Sequence, residues 1–267
     1  MLKKIKNIIK HYIFSLNKNF EKIKQNIKAF IFKKTGCVLN TNNGHAKFYL
    51  PNYSIDYIQN TIYKTKDYFE KDNLEYVCKK WRGGIISTVI NNHGVLDIGS
   101  NIGNHTIYYA NECNANLIYC FEPIAKTFNV LSKNIKLNNL ESITKLYQVG
   151  VGAFSTNANI DFYDEKNIGG TKLIINAYGD IPVVSIDELK ISNIGLVKVD
   201  VEGLEVEVLK GMLTTLEENH PYITIEIRDK NFEEAFQILS KLGYSYIEIE
   251  KHRDYRDYND YLFYHIQ

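Results

Sequence analysis

Between Leu196 and Glu205 the chain reads Leu-Val-Lys-Val-Asp-Val-Glu-Gly-Leu-Glu, so Asp200 and Glu202 close an apolar run and Glu205 follows the turn at Gly203. Two acids ending a hydrophobic strand cost desolvation unless something uses them. Such a pair can take the proton of a poor nucleophile as a general base, share a proton, or bind a cation that lowers a hydroxyl's pKa. With Glu205 as a third oxygen ligand, the cation expected is Mg²⁺ rather than zinc. Glu205 has a structural reading as well, since an acid in a first helical turn faces the positive end of the helix dipole. A second stretch, Val95-Leu96-Asp97-Ile98-Gly99-Ser100-Asn101-Ile102-Gly103-Asn104, ends an apolar run in an acid and turns through two glycines into a helical pattern. Glycine lets backbone approach a ligand with no Cβ in the way. Past it, the run Leu117–Phe121 ends in Glu122, where a carboxylate can accept both hydroxyls of a ribose. The spacing Gly99-x-x-x-Gly103 is not the G-x-G-x-x-G loop that wraps a pyrophosphate. His105, at the start of the following helix, is a rival base or simply a cap.

These residues need a scaffold of alternating elements, and the periodicity supplies one. Strands are expected at 94–99, 116–121, 143–149, 195–201, 222–227, 244–249 and 261–266, and helices at 104–112, 125–138, 205–217 and 232–242. Strands alternating with helices of this length predict a mainly parallel sheet covered on both faces. The last strand follows only a short polar loop and must run antiparallel. Residues 151–190 read as a β-rich insertion with two or three short strands. Residues 45–92 read as a lead-in with a strand at Lys47–Leu50 and two helices ending near Trp81. Ligands of open α/β sheets sit outside the carboxyl ends of the strands, so both acidic stretches should meet there. Lys198, which alternates outward from Val197 and Val199, is expected only to pair with an acid.

The formal charge of +1 hides an asymmetry: residues 1–34 carry ten lysines and one glutamate, +9, against −8 for the remainder. An acidic body argues against general nucleic-acid binding. Residues 1–35 read as two amphipathic helices with a lysine face, and 40–44 as a linker, so the expected domains are 1–44 and 45–267. The helices are expected either to pack on the body or on a second subunit of a homodimer, or to meet an anionic membrane surface or acidic partner. Cys37, Cys78, Cys113 and Cys120 form no C-x-x-C pair and match no zinc spacing, which suits a reducing cytoplasm. No apolar run approaches the ~18–20 residues of a membrane-spanning helix. The basic N-terminus mimics a signal peptide but lacks a small-residue cleavage site. A cytoplasmic protein, peripheral at the inner membrane face if the basic helices bind there, is the expectation.

The Asp97-x-Gly99-x-x-x-Gly103 loop resembles that of S-adenosylmethionine-dependent methyltransferases. Taken with Phe121-Glu122-Pro123, Asn134-Ile135-Lys136-Leu137-Asn138, Val197–Glu205, Val208-Leu209-Lys210-Gly211 and Pro221–Glu226, the chain resembles their FkbM family across roughly residues 80–250. Ser100 stands where that family often has alanine. The resemblance implies a Rossmann-like class I methyltransferase fold, a seven-stranded mainly parallel sheet with one antiparallel strand, carrying here an N-terminal basic helical extension. It implies O-methylation, often of sugars in surface polysaccharides, glycolipids or natural products, so a glycan acceptor is expected. S-adenosyl-L-methionine should lie against Asp97, Gly99, Ser100, Asn101, Gly103 and Asn104, against Glu122 and Pro123, and against Gly150 and Val151. Asp200, Glu202 and His105 are the candidates for catalysis. Glu226, Arg253 and Tyr255 are candidates for holding the sugar, the last two from a loop rich in Tyr, Arg and Asp. An NAD(P)-dependent sugar oxidoreductase or epimerase, and a non-catalytic membrane-associated scaffold, stand as alternatives.

Overall fold

The lysine-rich N-terminal segment forms one helix and not two: α1 (Leu2–Lys34) runs unbroken for 33 residues. Neither glycine nor proline occurs in it, and the polar stretch Asn17-Lys18-Asn19 does not prevent helical propagation. It ends where Gly36 takes φ +80°. There Cys37 N–H donates to the Phe32 carbonyl and Gly36 N–H to that of Lys33, a glycine-terminated cap. The computed structural model describes residues 2–250 and 257–266. It divides into two units, 1–38 and 39–267.

The boundary therefore precedes the stretch that composition marks as a linker. Thr41 is buried, and its Oγ1 accepts from Ala46 N–H (3.0 Å) and donates to the Ala46 carbonyl (3.2 Å). This closes the turn between β1 (Val38–Asn40) and β2 (Lys47–Tyr49), a two-stranded sheet. Three helices follow instead of two: α2 (Tyr57–Thr65), N-capped by the Asp56 carboxylate at Gln59 N–H; α3 (Lys71–Glu75); and α4 (Ile85–Ile90), beyond Trp81.

The main body then alternates as expected. In order come β3 (Gly94–Ile98), α5 (Asn104–Cys113), β4 (Ile118–Phe121), α6 (Ala125–Leu137), β5 (Thr144–Tyr147), then β6 (Gly150–Val151), β7 (Thr156–Phe162), β8 (Lys172–Ile175) and β9 (Ile181–Val184). After these come β10 (Ile194–Val199), α7 (Glu205–Lys210), α8 (Leu213–Asn219), β11 (Tyr222–Arg228), α9 (Asp229–Lys241), β12 (Tyr244–Glu250) and β13 (Tyr258–His265). Seven strands form one sheet in the order β12-β13-β11-β10-β3-β4-β5, and β6-β9-β7-β8 form a separate four-stranded sheet in the insertion. β13 runs antiparallel to both neighbours, while the β11-β10-β3-β4-β5 pairings are parallel.

β3, β4 and β10 are buried at every residue, which is why they read as continuous apolar runs: helices cover both faces. The core on the sheet includes Leu96, Ile98, Phe121, Val197, Val199, Ile223 and Ile225. The single helix expected over 205–217 is two, because Gly211 crosses Gly152 so closely that a Cβ would lie 1.9 Å from the Gly152 carbonyl oxygen. Asp187 then caps α8 from outside, accepting from Thr214 N–H, Thr215 N–H and the Thr215 hydroxyl.

Candidate active site

The carboxyl ends of β3, β4 and β10 meet around a cleft of about 590 Å³. Its lining includes Gly99, Asn101, Glu122, Pro123, Gly150 and Val151, with Asp200 and Glu202 opposite. Gly99 and Asn101 both have positive φ (77° and 50°), so the loop turns its backbone to the cleft. Glu122 is buried at the floor. Its Oε2 accepts from Asn101 N–H (3.0 Å) and its Oε1 from Ile124 N–H (2.8 Å), leaving a lone pair on each oxygen. Burial pushes its carboxyl up to about 7, against the pull of those two backbone donors. Among the described residues, the lining holds three acids and no lysine or arginine.

Four residues expected against the cofactor do not line this cleft. Ser100 is buried and donates to the Asp97 carbonyl (2.6 Å), closing the turn. Asn104 is buried and pins Phe69, accepting from its N–H (2.9 Å) and donating to its carbonyl (3.0 Å). Gly103 starts α5 at φ 89°, with the Leu131 side chain packed where a Cβ would stand. Asp97 lies within the sheet, fully buried: Oδ2 accepts from the Thr106 hydroxyl (2.5 Å), and Oδ1 sits 3.6 Å from Lys198 Nζ.

Lys198 is the residue that sequence reasoning undervalued. It is buried on β10, paired in register with Asp97 on β3. Its Nζ donates to the Gly99 carbonyl (2.6 Å) and lies 3.4 Å from Asp200 Oδ2. Burial opposes its charge, yet the attraction of Asp200 and Asp97 holds its pKa above the ordinary value. The available signal was a lone lysine inside an otherwise apolar run.

Asp200 borders a second cavity of about 520 Å³, with His105, Tyr109, Lys198, Thr224, Glu226 and Asp260 in its wall. Asp200 and Glu202 do not share a strand face, because β10 stops at Val199. The left-handed turn at Glu202 (φ 53°) and Gly203 (φ 114°) brings them together instead. Carboxylate oxygens of Asp200, Glu202 and Glu226 lie within 4.8 Å of one another. Glu226 joins that cluster in place of Glu205. The Glu205 side chain is buried elsewhere, accepting from Gly203 N–H (2.6 Å) and from the Asn231 amide (2.6 Å), so it is a structural acid and not a metal ligand with the other two.

The four groups of this wall differ in readiness. Glu202 is bound to Arg228, which also forks onto Asp257 with two 2.8 Å hydrogen bonds. Burial, then Asp200, raises the Glu202 pKa while Arg228 opposes. Glu226 faces Asp260 directly across the β11–β13 ladder. Burial and the carboxylates of Asp200, Glu202 and Asp260 push it up to about 10, so it keeps its proton at neutral pH. Burial, then Lys198, drives His105 down to about 3, so its imidazole is neutral. Asp200 is more exposed than Glu202 and is the one of the three clustered acids that borders both cavities. Arg253 and Tyr255 lie outside the described residues.

Comparison with known proteins bears on the family and the fold. Residues 97–246 match the model of the methyltransferase FkbM domain. Methyltransferase 1 of Beauveria bassiana is 26% identical over 144 residues, 44% of this chain and 57% of that protein. Hexuronic acid methyltransferase AglP of Haloferax volcanii is 31% identical over 137 residues, 49% of this chain and 54% of that protein. The chain thus spans little more than half the length of these curated relatives. The crystal structure of methyltransferase FkbM from Methylobacillus flagellatus superposes with a TM-score of 0.51 at 19% identity, covering 65% of this chain and 44% of that one. The fold is the Rossmann-like class I methyltransferase fold, and the chain belongs to the FkbM methyltransferase family.

Proposed function

We propose that the protein transfers a methyl group from S-adenosyl-L-methionine to a hydroxyl of a sugar in a glycan. The observation that carries this reading is the composition of the β3–β4–β10 cleft: Glu122, Asp200 and Glu202 line it without a lysine or arginine among the described residues. The Lys198 and Arg228 partners of Asp200 and Glu202 stand outside the lining, so among the described residues nothing cationic there offers itself to a pyrophosphate. A sulfonium cation and a ribose suit its carboxylates. Glu122 has the free lone pairs to accept from ribose hydroxyls. S-adenosylmethionine, when bound, supplies the electrophilic methyl carbon. This chain's residues hold the acceptor in line with it and remove its proton. Asp200 is the base in this reading, because it borders both cavities while Arg228 occupies Glu202 and Glu226 stays protonated. His105 and Glu226 form the acceptor wall.

A divalent cation fits this cluster poorly. The Arg228 guanidinium already holds Glu202, so a cation there would have to displace it. We assign no step to Mg²⁺. The glycan acceptor draws support from the hexuronic acid methyltransferase among the relatives.

The test is calorimetric titration with S-adenosylmethionine and, separately, NAD, followed by turnover on a panel of hydroxyl-bearing sugars. Binding of the first and not the second is expected. Asp200→Asn should keep the cofactor affinity and lose about 10²–10⁴ in turnover. Turnover of that variant at the native rate would remove Asp200 as the base, and NAD binding alone would overturn the reading.

A further inference from the structure

Helix α1 presents an apolar stripe that no part of its own unit covers. Phe20, Ile23, Ile27, Phe30 and Ile31 are each more than half exposed. At 100° per residue these five fall within an arc of about 100°, the width of an interface-seeking face. Around the rest of the helix stand Lys18, Lys22, Lys28 and Lys33, with Lys24 on the stripe's flank and Lys34 at its end. In the whole helix Glu21 is the sole acid beside ten lysines. No helix among the described residues is long and apolar enough to cross a membrane.

The spacing of the stripe, three then four residues, also suits a coiled coil, and in the sequence it continues back through Leu16, Ile13 and Ile9. The charges argue against a second copy as occupant. Coiled coils choose partners through opposite charges beside the seam. Here the positions flanking the seam hold Asn17, Asn19, Lys24, Asn26, Ile31 and Lys33, with no acid to face the lysines. Two such helices, each with ten lysines and one glutamate, would repel one another as a whole. A surface of anionic lipid headgroups answers both features at once: acyl chains receive the Phe and Ile side chains, and headgroups neutralise the lysines.

We propose that α1 is a membrane-surface anchor that lies in the plane of an anionic lipid bilayer, its Phe20–Ile31 stripe buried and its lysines at the headgroups. Attraction of this kind is worth ~1 kcal/mol per lysine near the surface and fades with salt. The anchor is independent of the methyl-transfer reading, since it involves none of the cleft residues.

The experiment is co-sedimentation of the full chain with vesicles of phosphatidylcholine alone or with one third phosphatidylglycerol, alongside sedimentation equilibrium without lipid. Binding to the anionic vesicles only is expected, with loss in 0.5 M NaCl. The flank variant Lys24→Gln/Lys28→Gln/Lys33→Gln should weaken binding about a hundredfold. Ile23→Glu/Ile27→Glu should abolish it while circular dichroism shows the main body still folded. Equal binding to both vesicle types, no binding to either, or a lipid-free dimer that Ile27→Glu dissociates would each overturn the proposal.

Discussion

Lys198 reaches from β10 across to the turn after β3, its Nζ donating to the carbonyl of Gly99 at 2.6 Å. The same two loops touch a second time, since a Cβ on Gly99 would stand 1.8 Å from the carbonyl oxygen of Asp200. The cofactor-side turn and the acid of the acceptor side are therefore one mechanical piece, with a buried ammonium between Asp97 and Asp200 as its rivet. Lys198→Met should leave the buried Asp97 carboxyl without its partner, and such breakage costs about 3–5 kcal/mol. Urea unfolding would measure it. The double variant Lys198→Met/Asp97→Asn should recover part of the loss, and if it recovers none the two side chains are not coupled.

Gly99→Ala tests the crossing itself. The position has φ +77° and no room for a methyl group, so we expect destabilisation above ~4 kcal/mol or failure to fold. Gly36→Ala, at a helix end with open space and a similar φ, should cost only about 1 kcal/mol. Comparable melting temperatures for the two variants would contradict the close approach.

Glu122 should make cofactor binding depend on pH. Its folded pKa, about 7, lies above the ordinary 4.5, so its contribution to stability is complete below about 4.5 and is lost as pH rises through 7. The ionised form that accumulates above 7 is the better acceptor for ribose hydroxyls. Affinity for S-adenosylmethionine should therefore rise about tenfold from pH 6 to pH 8, relative to Glu122→Gln. Glu122→Ala should weaken binding by about 1.5–3 kcal/mol at pH 8. Parallel pH profiles for native protein and Glu122→Gln would place the effect elsewhere.

Glu205 separates structural from chemical acids. Removing its two hydrogen bonds in Glu205→Ala should cost about 1–3 kcal/mol of stability, while turnover per folded molecule stays within a few fold. A chelator should likewise leave native turnover unchanged. If Glu205→Ala kills turnover without unfolding, or EDTA does, the acids are working through a metal.

The strands that carry the site could be read directly because β3, β4 and β10 are buried on both faces, and burial writes itself as an unbroken apolar run. Glu122 and Asp200 could be placed for the same reason, as the acids that end such runs. Side-chain direction past a strand end could not be read. Spacing alone does not announce a left-handed turn at Glu202, so the sequence leaves Glu205 open between a structural acid and a third ligand, and does not bring Glu226, from the next strand, into the cluster. Lys198 has the acid partner that the sequence suggests, but its burial cannot be read, because alternation predicts exposure and cannot register an acid on the adjacent strand. The break between α7 and α8 hides equally well: it depends on Gly211 meeting Gly152, a contact between segments some sixty residues apart.

β12 touches the sheet only through β13, which slips between it and β11. During synthesis β11 emerges first, and its outer edge then waits while α9 and β12 are made, because neither supplies the strand that covers it. Such an open edge, with Ile223, Ile225 and Ile227 along it, is a template for unwanted pairing. Residues 258–265 thus act as a late-arriving closure. Any nascent chain stalled before them would hold the cofactor side of the sheet nearly complete and the acceptor side unzipped.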